Sequence, residues 1–178
     1  MITKITPKIT SFEFKNFGSI VYLIQLKNQN ILIDTSSKEN KEELLSALSS
    51  LNLKTENITT IILTHGHYDH IENINLFTKA KIYSDAKEAI MYNNNIIDFS
   101  KVLPINEQPI KEFEIYKTPG HTNGDIVILY KNILFSGDVI FHNGYIGRTD
   151  LQESDQEQMQ KSLDFIKNLK FDILCPGH

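Results

Sequence analysis

Strand-like runs that each end in a turn and a potential metal-binding side chain, with helical segments between them, predict a mixed α/β domain. Three observations carry this. The first is Thr64-His65-Gly66-His67-Tyr68-Asp69-His70, three imidazoles and a carboxylate in one short turn, directly after the β-branched run Thr60-Ile61-Ile62-Leu63. The second is the recurrence of this device. Phe113–Lys117 leads to Pro119-Gly120-His121-Thr122, Asn132–Phe135 to Ser136-Gly137-Asp138, and Phe171–Leu174 to Pro176-Gly177-His178. The third is bulk composition. At 178 residues, 40% hydrophobic and 22% charged, the chain fits one domain with a real core, spanning residues 1–178.

In chain order, Ile9–Phe14 alternates as a half-buried strand and Gly18 interrupts it. Ile20–Ile24, the polar turn Lys27–Asn30 and Ile31–Thr35 form an antiparallel hairpin. Ser36 and Glu39 have capping-box spacing ahead of a helix whose Leu44, Leu45, Ala47, Leu48 and Leu51 share a face. Thr60–Leu63 is the strand that delivers the histidine turn, and Ile71 to Phe77 has helical spacing. Lys81-Ile82-Tyr83 is a short strand, and Asp85 and Glu88 cap a helix carrying Ala89, Ile90 and Met91, ended by Asn93–Asn95. Residues 98–112, with Pro104 and Pro109, read as loop with short edge strands. A strand to His121 follows, then the hairpin Ile126–Tyr130 and Ile133–Phe135 to Asp138, and a loop over 139–153. Ser154 and Glu157 repeat the capping-box spacing before a helix faced by Met159, Leu163, Ile166 and Leu169, and a last strand reaches His178.

Net charge is −4 and the isoelectric point about 5.8, which argues against a nucleic-acid surface. The single cysteine, Cys175, cannot form an intrachain disulfide and reads as a small buried residue. The N-terminus lacks a signal-peptide layout and no run reaches membrane-spanning length, so a cytoplasmic protein with no membrane partner is expected.

Imidazole and carboxylate are the ligands of zinc and neighbouring transition metals. Along an extended loop, residues two apart point the same way, which groups His65, His67 and Asp69 before His70 turns in. One loop histidine would mean little. A packed set of three with an aspartate needs a common positive charge to organise it.

The series His-x-His-x-Asp-His, Gly-His, Gly-Asp and Pro-Gly-His resembles the metallo-β-lactamase superfamily over nearly the whole chain. Thr118–Thr122 and Gly147-Arg148-Thr149-Asp150 resemble its glyoxalase II and persulfide dioxygenase branch. The resemblance implies an αββα sandwich, two mixed sheets with helices outside. It implies two zinc ions, or alternatively one iron or a mixture of zinc, iron and manganese. His65, His67 and His121 look like the ligands of one, Asp69, His70 and His178 those of the other, and Asp138 the bridging carboxylate. Asp34 resembles a carboxylate that orients a ligand imidazole. A metal-bridging hydroxide is then the nucleophile, Asp69 orients it, and a small-molecule thioester is the substrate. Tyr145 and Arg148 are candidates for substrate contact, Arg148 equally for a structural pair with Asp150 or another loop carboxylate, while His142 reads as a surface residue. Three features depart from relatives: Glu72-Asn73 where glycines are common, Asn123 where proline is common, and a chain that stops at His178 without the helical domain of glyoxalase II. The alternatives are a mononuclear iron persulfide dioxygenase and, from another class, a non-catalytic metal-binding module. Assembly as a homo-oligomer stays open.

Overall fold

The computed structural model describes residues 1–88, 102–105 and 110–178. The helix expected at Ala89–Met91, its end at Asn93–Asn95, and Pro109 lie outside the described residues. Seven strands, β1 (Ile2–Thr6), β2 (Ile9–Phe12), β3 (Val21–Leu26), β4 (Gln29–Ile33), β5 (Thr60–Ile62), β6 (Lys81–Ser84) and β7 (Val102–Pro104), form one sheet in sequence order. The second sheet is ordered β11 (Ile173–Pro176), β10 (Ile133–Gly137), β9 (Ile126–Tyr130) and β8 (Phe113–Lys117). Both are mixed: β1 to β4 run antiparallel and β4 to β7 parallel, while β10 pairs antiparallel with β9 and parallel with β11. β7 falls in the stretch expected to hold edge strands, and Pro104 tolerates an edge because it has no ladder hydrogen to give. β1 was not expected.

Period-two alternation builds the layers. Ile24, Ile31 and Ile62 face inward with Phe113, Ile128, Phe135 and Cys175 of the other sheet. Their neighbours Leu23, Leu32 and Ile61 face outward, onto Leu44, Ala47 and Leu48 of helix α1 (Lys41–Ser50). On the far side, Val127, Leu129 and Leu134 pack against Met159, Leu163 and Ile166 of helix α3 (Gln156–Ile166). The result is the expected αββα sandwich, with helices outside two face-to-face sheets. No helix among the described residues is long and apolar enough to cross a membrane.

A parallel pair needs a crossover, and here α1 joins β4 to β5 and α3 joins β10 to β11. Each crossover brings two carboxyl strand ends side by side. Asp34 follows β4, the histidine turn follows β5, Asp138 follows β10 and His178 follows β11. Such an edge of parallel strands is where open α/β sheets place their sites.

Two helix starts differ from the expectation. Ser36 does not cap α1: it lies at φ 62°, buried, with its hydroxyl taking a hydrogen bond from Asn40, and a 3-10 turn Lys38–Asn40 precedes the helix. Before α3 the cap is Asp155, whose Oδ1 accepts from the Gln158 amide at 2.9 Å, while the Ser154 hydroxyl donates to the His121 carbonyl. The helix expected over 71–77 is split into α2 (Tyr68–Ile71) and a 3-10 turn at Ile74–Leu76.

Candidate metal centre

Asp34 anchors the histidine turn. Its φ of 59° is left-handed, a conformation that Asp accepts more readily than most side chains, and it aims the carboxylate across β5. Oδ1 accepts from the Thr64 amide and Oδ2 from the Thr64 hydroxyl, each at 2.8 Å. His70 Nδ1 lies 2.8 Å from the same Oδ2. The His70 carbonyl accepts from the Thr35 amide at 2.7 Å, and the Asn73 amide group donates to the carbonyls of Thr35 and Ser37. Glu72 Oε2 accepts from the Lys38 amide. The two residues that depart from the glycine pattern therefore tie α2 to the loop after β4.

Two histidines of the first set each have one ring nitrogen committed to a fixed acceptor. His121 Nδ1 lies 2.9 Å from the Arg148 carbonyl, which can only accept. His67 Nε2 lies 2.9 Å from Glu153 Oε1. Both rings must carry hydrogen on those nitrogens, so their other nitrogens present lone pairs when the rings are neutral. Those nitrogens converge: His67 Nδ1 is 2.8 Å from His121 Nε2 and 3.1 Å from His65 Nε2. A tetrahedral zinc with Zn–N of about 2.1 Å holds its nitrogens ~3.4 Å apart, the same scale. Burial, and then the neighbouring imidazoles, hold His65 well below the ordinary histidine pKa. Burial likewise lowers His121, against the opposing pull of Asp138. Neutral imidazoles with facing lone pairs are a metal-binding arrangement.

The second cluster is more anionic. Asp138 Oδ1 is 3.3 Å from His70 Nε2, and its Oδ2 is 3.5 Å from His121 Nε2 and 3.7 Å from His178 Nε2. Asp69 Oδ2 is 3.2 Å from His178 Nε2. His70 Nε2 and Asp138 Oδ1 are buried without a hydrogen-bond partner among the described residues. Burial opposes charge on His70, but Asp138 and Asp34 outweigh it and raise its pKa well above the ordinary value. Burial also opposes ionisation of Asp138, yet His70 overrides it and draws the carboxyl down to about 2. Gly177 completes the cradle: a Cβ there would stand 2.2 Å from Asp138 Oδ1 and 2.9 Å from His70 Cε1.

Three sets therefore have donor atoms within 4.8 Å of one another: His65, His67 and His121; His65, His70 and Asp138; and Asp69, His70 and His178. The donors, the orphaned polar atoms and the close glycine fit divalent cations, with Asp138 between the sets. All seven residues expected as ligands meet here.

An open cleft of 460 Å³ faces them, lined by His67, Asp69, His121, Asp138 and His178 and walled by Phe17, Tyr68, Phe141, Ile146 and Leu151. The Phe17 ring stacks on His178 at 5.4 Å. Arg148 lines the cleft, but its guanidinium is engaged twice by Asp150, at 2.9 Å each, both side chains exposed. Tyr145 does not line the cleft; its side chain is exposed and its carbonyl accepts from Phe141. His142 is exposed, as expected. Cys175 is packed between the sheets, and burial pushes its thiol up to about 12. Glu153 and Thr64 escape sequence reasoning. Glu153 sits in a polar loop 86 residues from His67, with no spacing to mark it, and a threonine at a strand end looks like ordinary β-former chemistry.

The metallo-beta-lactamase superfamily model matches residues 16–178. A protein of Methanocaldococcus jannaschii named as a probable metallo-hydrolase is 43% identical over 108 residues, 61% of this chain and 50% of the relative. A second such protein from that organism is 32% identical over 91% of this chain and 88% of its own length. The hydroxyacylglutathione hydrolase of Serratia proteamaculans is 30% identical over 88% of this chain and 61% of its own. The chain thus spans half the length of the first relative and most of the second. A crystal structure in a di-iron-bound form superposes with a TM-score of 0.75 at 24% identity, covering 90% of this chain and 87% of that one. ETHE1 from Myxococcus xanthus does so at 0.71 and 24%, covering 96% and 75%. These two share the fold. With the family match running from the loop before β3 to the last histidine, the chain belongs to the metallo-beta-lactamase superfamily.

Proposed function

We propose that this chain is a metal-dependent hydrolase acting on a small-molecule thioester. The observation that carries the reading is the convergence of the His65, His67 and His121 ring nitrogens, two of these rings lining an apolar-walled cleft. In this reading His65, His67 and His121 hold one divalent cation, Asp69, His70 and His178 a second, and Asp138 lies between them. Cations held there supply Lewis acidity, lowering the pKa of water from 15.7 towards about 7 and polarising a carbonyl oxygen. Asp69 lines the cleft, and its pKa is lowered because His178 and His70 outweigh burial. Held as a carboxylate, Asp69 accepts a hydrogen bond from the attacking water in this reading and orients it. Glu153, Asp34 and the Arg148 carbonyl fix the imidazoles in register.

The walls speak to the substrate. Phe17, Tyr68, Phe141, Ile146 and Leu151 give the cleft an apolar wall, and its one lining cation among the described residues, Arg148, is neutralised by Asp150. Such a cleft favours an uncharged acyl or thiol portion over an anionic one. The thioester reading draws further support from the hydroxyacylglutathione hydrolase relative. A second reading, a persulfide dioxygenase with one iron at the three-histidine set, gains from the di-iron-bound neighbour only that this fold accepts iron.

The test is elemental analysis of protein purified without added metal, followed by thioester turnover of the wild type and His67→Ala. Two zinc ions per chain, turnover, and its loss in a folded His67→Ala support the hydrolase. One iron per chain with oxygen uptake on a persulfide supports the second reading. A metal-free chain, or turnover indifferent to His67→Ala, defeats both and leaves a module that does no chemistry.

A further inference from the structure

Behind the histidine turn, away from the cleft, two carboxyl groups are buried side by side. Glu88 and Asp125 are 0% and 1% exposed. The sequence casts Glu88 as a helix-capping residue, but its side chain reaches elsewhere. Oε2 accepts from the Gly66 amide at 2.9 Å, between His65 and His67. Oε1 lies 2.7 Å from the hydroxyl of Thr122, the residue after His121. The Gly124 amide also donates to this carboxyl. Glu88 thus touches both loops that carry the three-histidine set, one rising from each sheet.

The hydrogen count is the telling feature. The Thr122 hydroxyl is also 2.8 Å from Asp125 Oδ1, while Asp125 Oδ2 accepts from the Thr122 amide at 2.6 Å. A threonine hydroxyl has one hydrogen and cannot donate to two carboxylates at once. One of the two acids must therefore supply a hydrogen of its own, or a buried carboxylate oxygen stands unpaired against the hydroxyl oxygen. Glu88 already accepts two backbone N–H groups besides the hydroxyl, the pattern of an ionised carboxylate. Among the described residues, Asp125 Oδ1 faces only the hydroxyl. The consistent arrangement is Asp125 O–H donating to Thr122 Oγ1, which donates to Glu88 Oε1.

We propose that Glu88 is a positioning residue, an ionised clamp that holds the Gly66 and Thr122 loops in register for the three-histidine set, completed by a single hydrogen that Asp125 donates through Thr122. Burial raises both acids, Asp125 well above the ordinary carboxyl value, and His67 favours ionisation of Glu88. Gly124 makes room for the clamp: a Cβ there would stand 2.4 Å from Glu88 Oε1 and 2.7 Å from its Cγ. The clamp rests on the metal-site reading for its purpose, and its geometry is independent of it.

The experiment uses two isosteric variants of the full chain. Asp125→Asn places an N–H donor where the acid hydrogen stands and keeps an oxygen for the Thr122 amide. Glu88→Gln sets an amide N–H₂ against the Gly66 amide in one orientation and against the hydrogen that the Thr122 hydroxyl donates in the other. Cobalt(II) affinity is measured by chelator competition and the cobalt absorption spectrum recorded, with circular dichroism as the check on folding. The expected result is affinity within threefold of wild type and an unchanged spectrum for Asp125→Asn. For Glu88→Gln, affinity falls at least tenfold with a shifted spectrum. In the metal-free wild type at neutral pH, infrared spectroscopy is expected to show a protonated carboxylic-acid band that Asp125→Asn removes. Equal damage from both variants, an undisturbed Glu88→Gln, or no such band overturns the clamp. Should Glu88→Gln not fold, the band and the cobalt spectrum of Asp125→Asn still decide. A wild type that takes up no cobalt defeats the metal-site reading instead, and the infrared band then judges the hydrogen arrangement alone.

Discussion

Replacing Asp34 with Asn perturbs the centre at one atom. In the native chain Oδ2 accepts from the Thr64 hydroxyl and from His70 Nδ1, each at 2.8 Å, and Oδ1 accepts from the Thr64 amide. An Asn that keeps its oxygen on the Thr64 amide must turn N–H₂ toward His70. His70 can then pair only by giving up the hydrogen on Nδ1 and carrying it on Nε2, the nitrogen that faces Asp138 at 3.3 Å. The lone pair that would meet a cation is filled. The opposite rotamer sets N–H₂ against the Thr64 amide and leaves a buried donor unpaired. Loss of such an orienting partner costs a metal site about 10–100-fold in affinity, or about 1.4–2.7 kcal/mol. A buried group left unsatisfied costs the metal-free fold about 1–3 kcal/mol. Zinc titration of metal-free protein against a competing chelator reads the first quantity, and urea unfolding the second. The weaker zinc equivalent should fall into that range, while the three-histidine equivalent changes less, because Asp34 reaches His65 only through the Thr64 hydroxyl. Two zinc equivalents bound by Asp34→Asn with wild-type affinity would refute the reasoning.

Gly177→Ala drives a methyl to within 2.2 Å of Asp138 Oδ1, so the second zinc equivalent should be lost while the sheets remain folded; equilibrium dialysis with circular dichroism checks it. In metal-free protein the pKa values of His65 and His70 should lie on opposite sides of the ordinary histidine value, although their rings are 4.0 Å apart. The lowered value of His65 means its stabilising contribution is present above the ordinary 6.5 and is lost as pH falls from there through the lower folded value. The raised value of His70 means its contribution is full below 6.5 and is lost as pH rises through the folded value. Imidazole nitrogen NMR at neutral pH should show a neutral His65 beside a cationic His70, and two neutral rings would contradict the charge pattern around Asp138.

What could be read in advance followed physical scale. The strands ending at Leu63, Lys117, Phe135 and Leu174 announce themselves by β-branched runs that stop at turn residues, and each does deliver its His or Asp to one edge. Helix faces such as Leu44, Ala47 and Leu48 follow from period alone. Helix starts did not follow. Ser36 has the right spacing for a cap, but tertiary contacts hold it in a left-handed turn against Asn40. At α3 the cap moved one residue to Asp155 because the His121 carbonyl claims the Ser154 hydroxyl. The supporting carboxylates were the least visible. Glu88 and Glu153 act on partners 22 and 86 residues away, where no local period reaches. Arg148 allowed two readings, a substrate contact or a pair with a loop carboxylate, and the pair with Asp150 is the one that forms.

The donors of the centre hang from both sheets: His65, His67, Asp69 and His70 from the end of β5, and His121, Asp138 and His178 from strands of the four-stranded sheet. Among the described residues, direct links across that same edge include the Ile20 amide to the Gly177 carbonyl at 2.7 Å and the Tyr22 hydroxyl to the Pro176 carbonyl at 2.7 Å. A cation shared across it would act as a rivet between the two halves of the sandwich. Its free energy would enter the folding equilibrium directly, about 2.7 kcal/mol at a free concentration one hundred times the dissociation constant. The lifetime of the folded chain in a cell would then track metal supply, with scarcity loosening the seam between the sheets before either hydrophobic layer gives way.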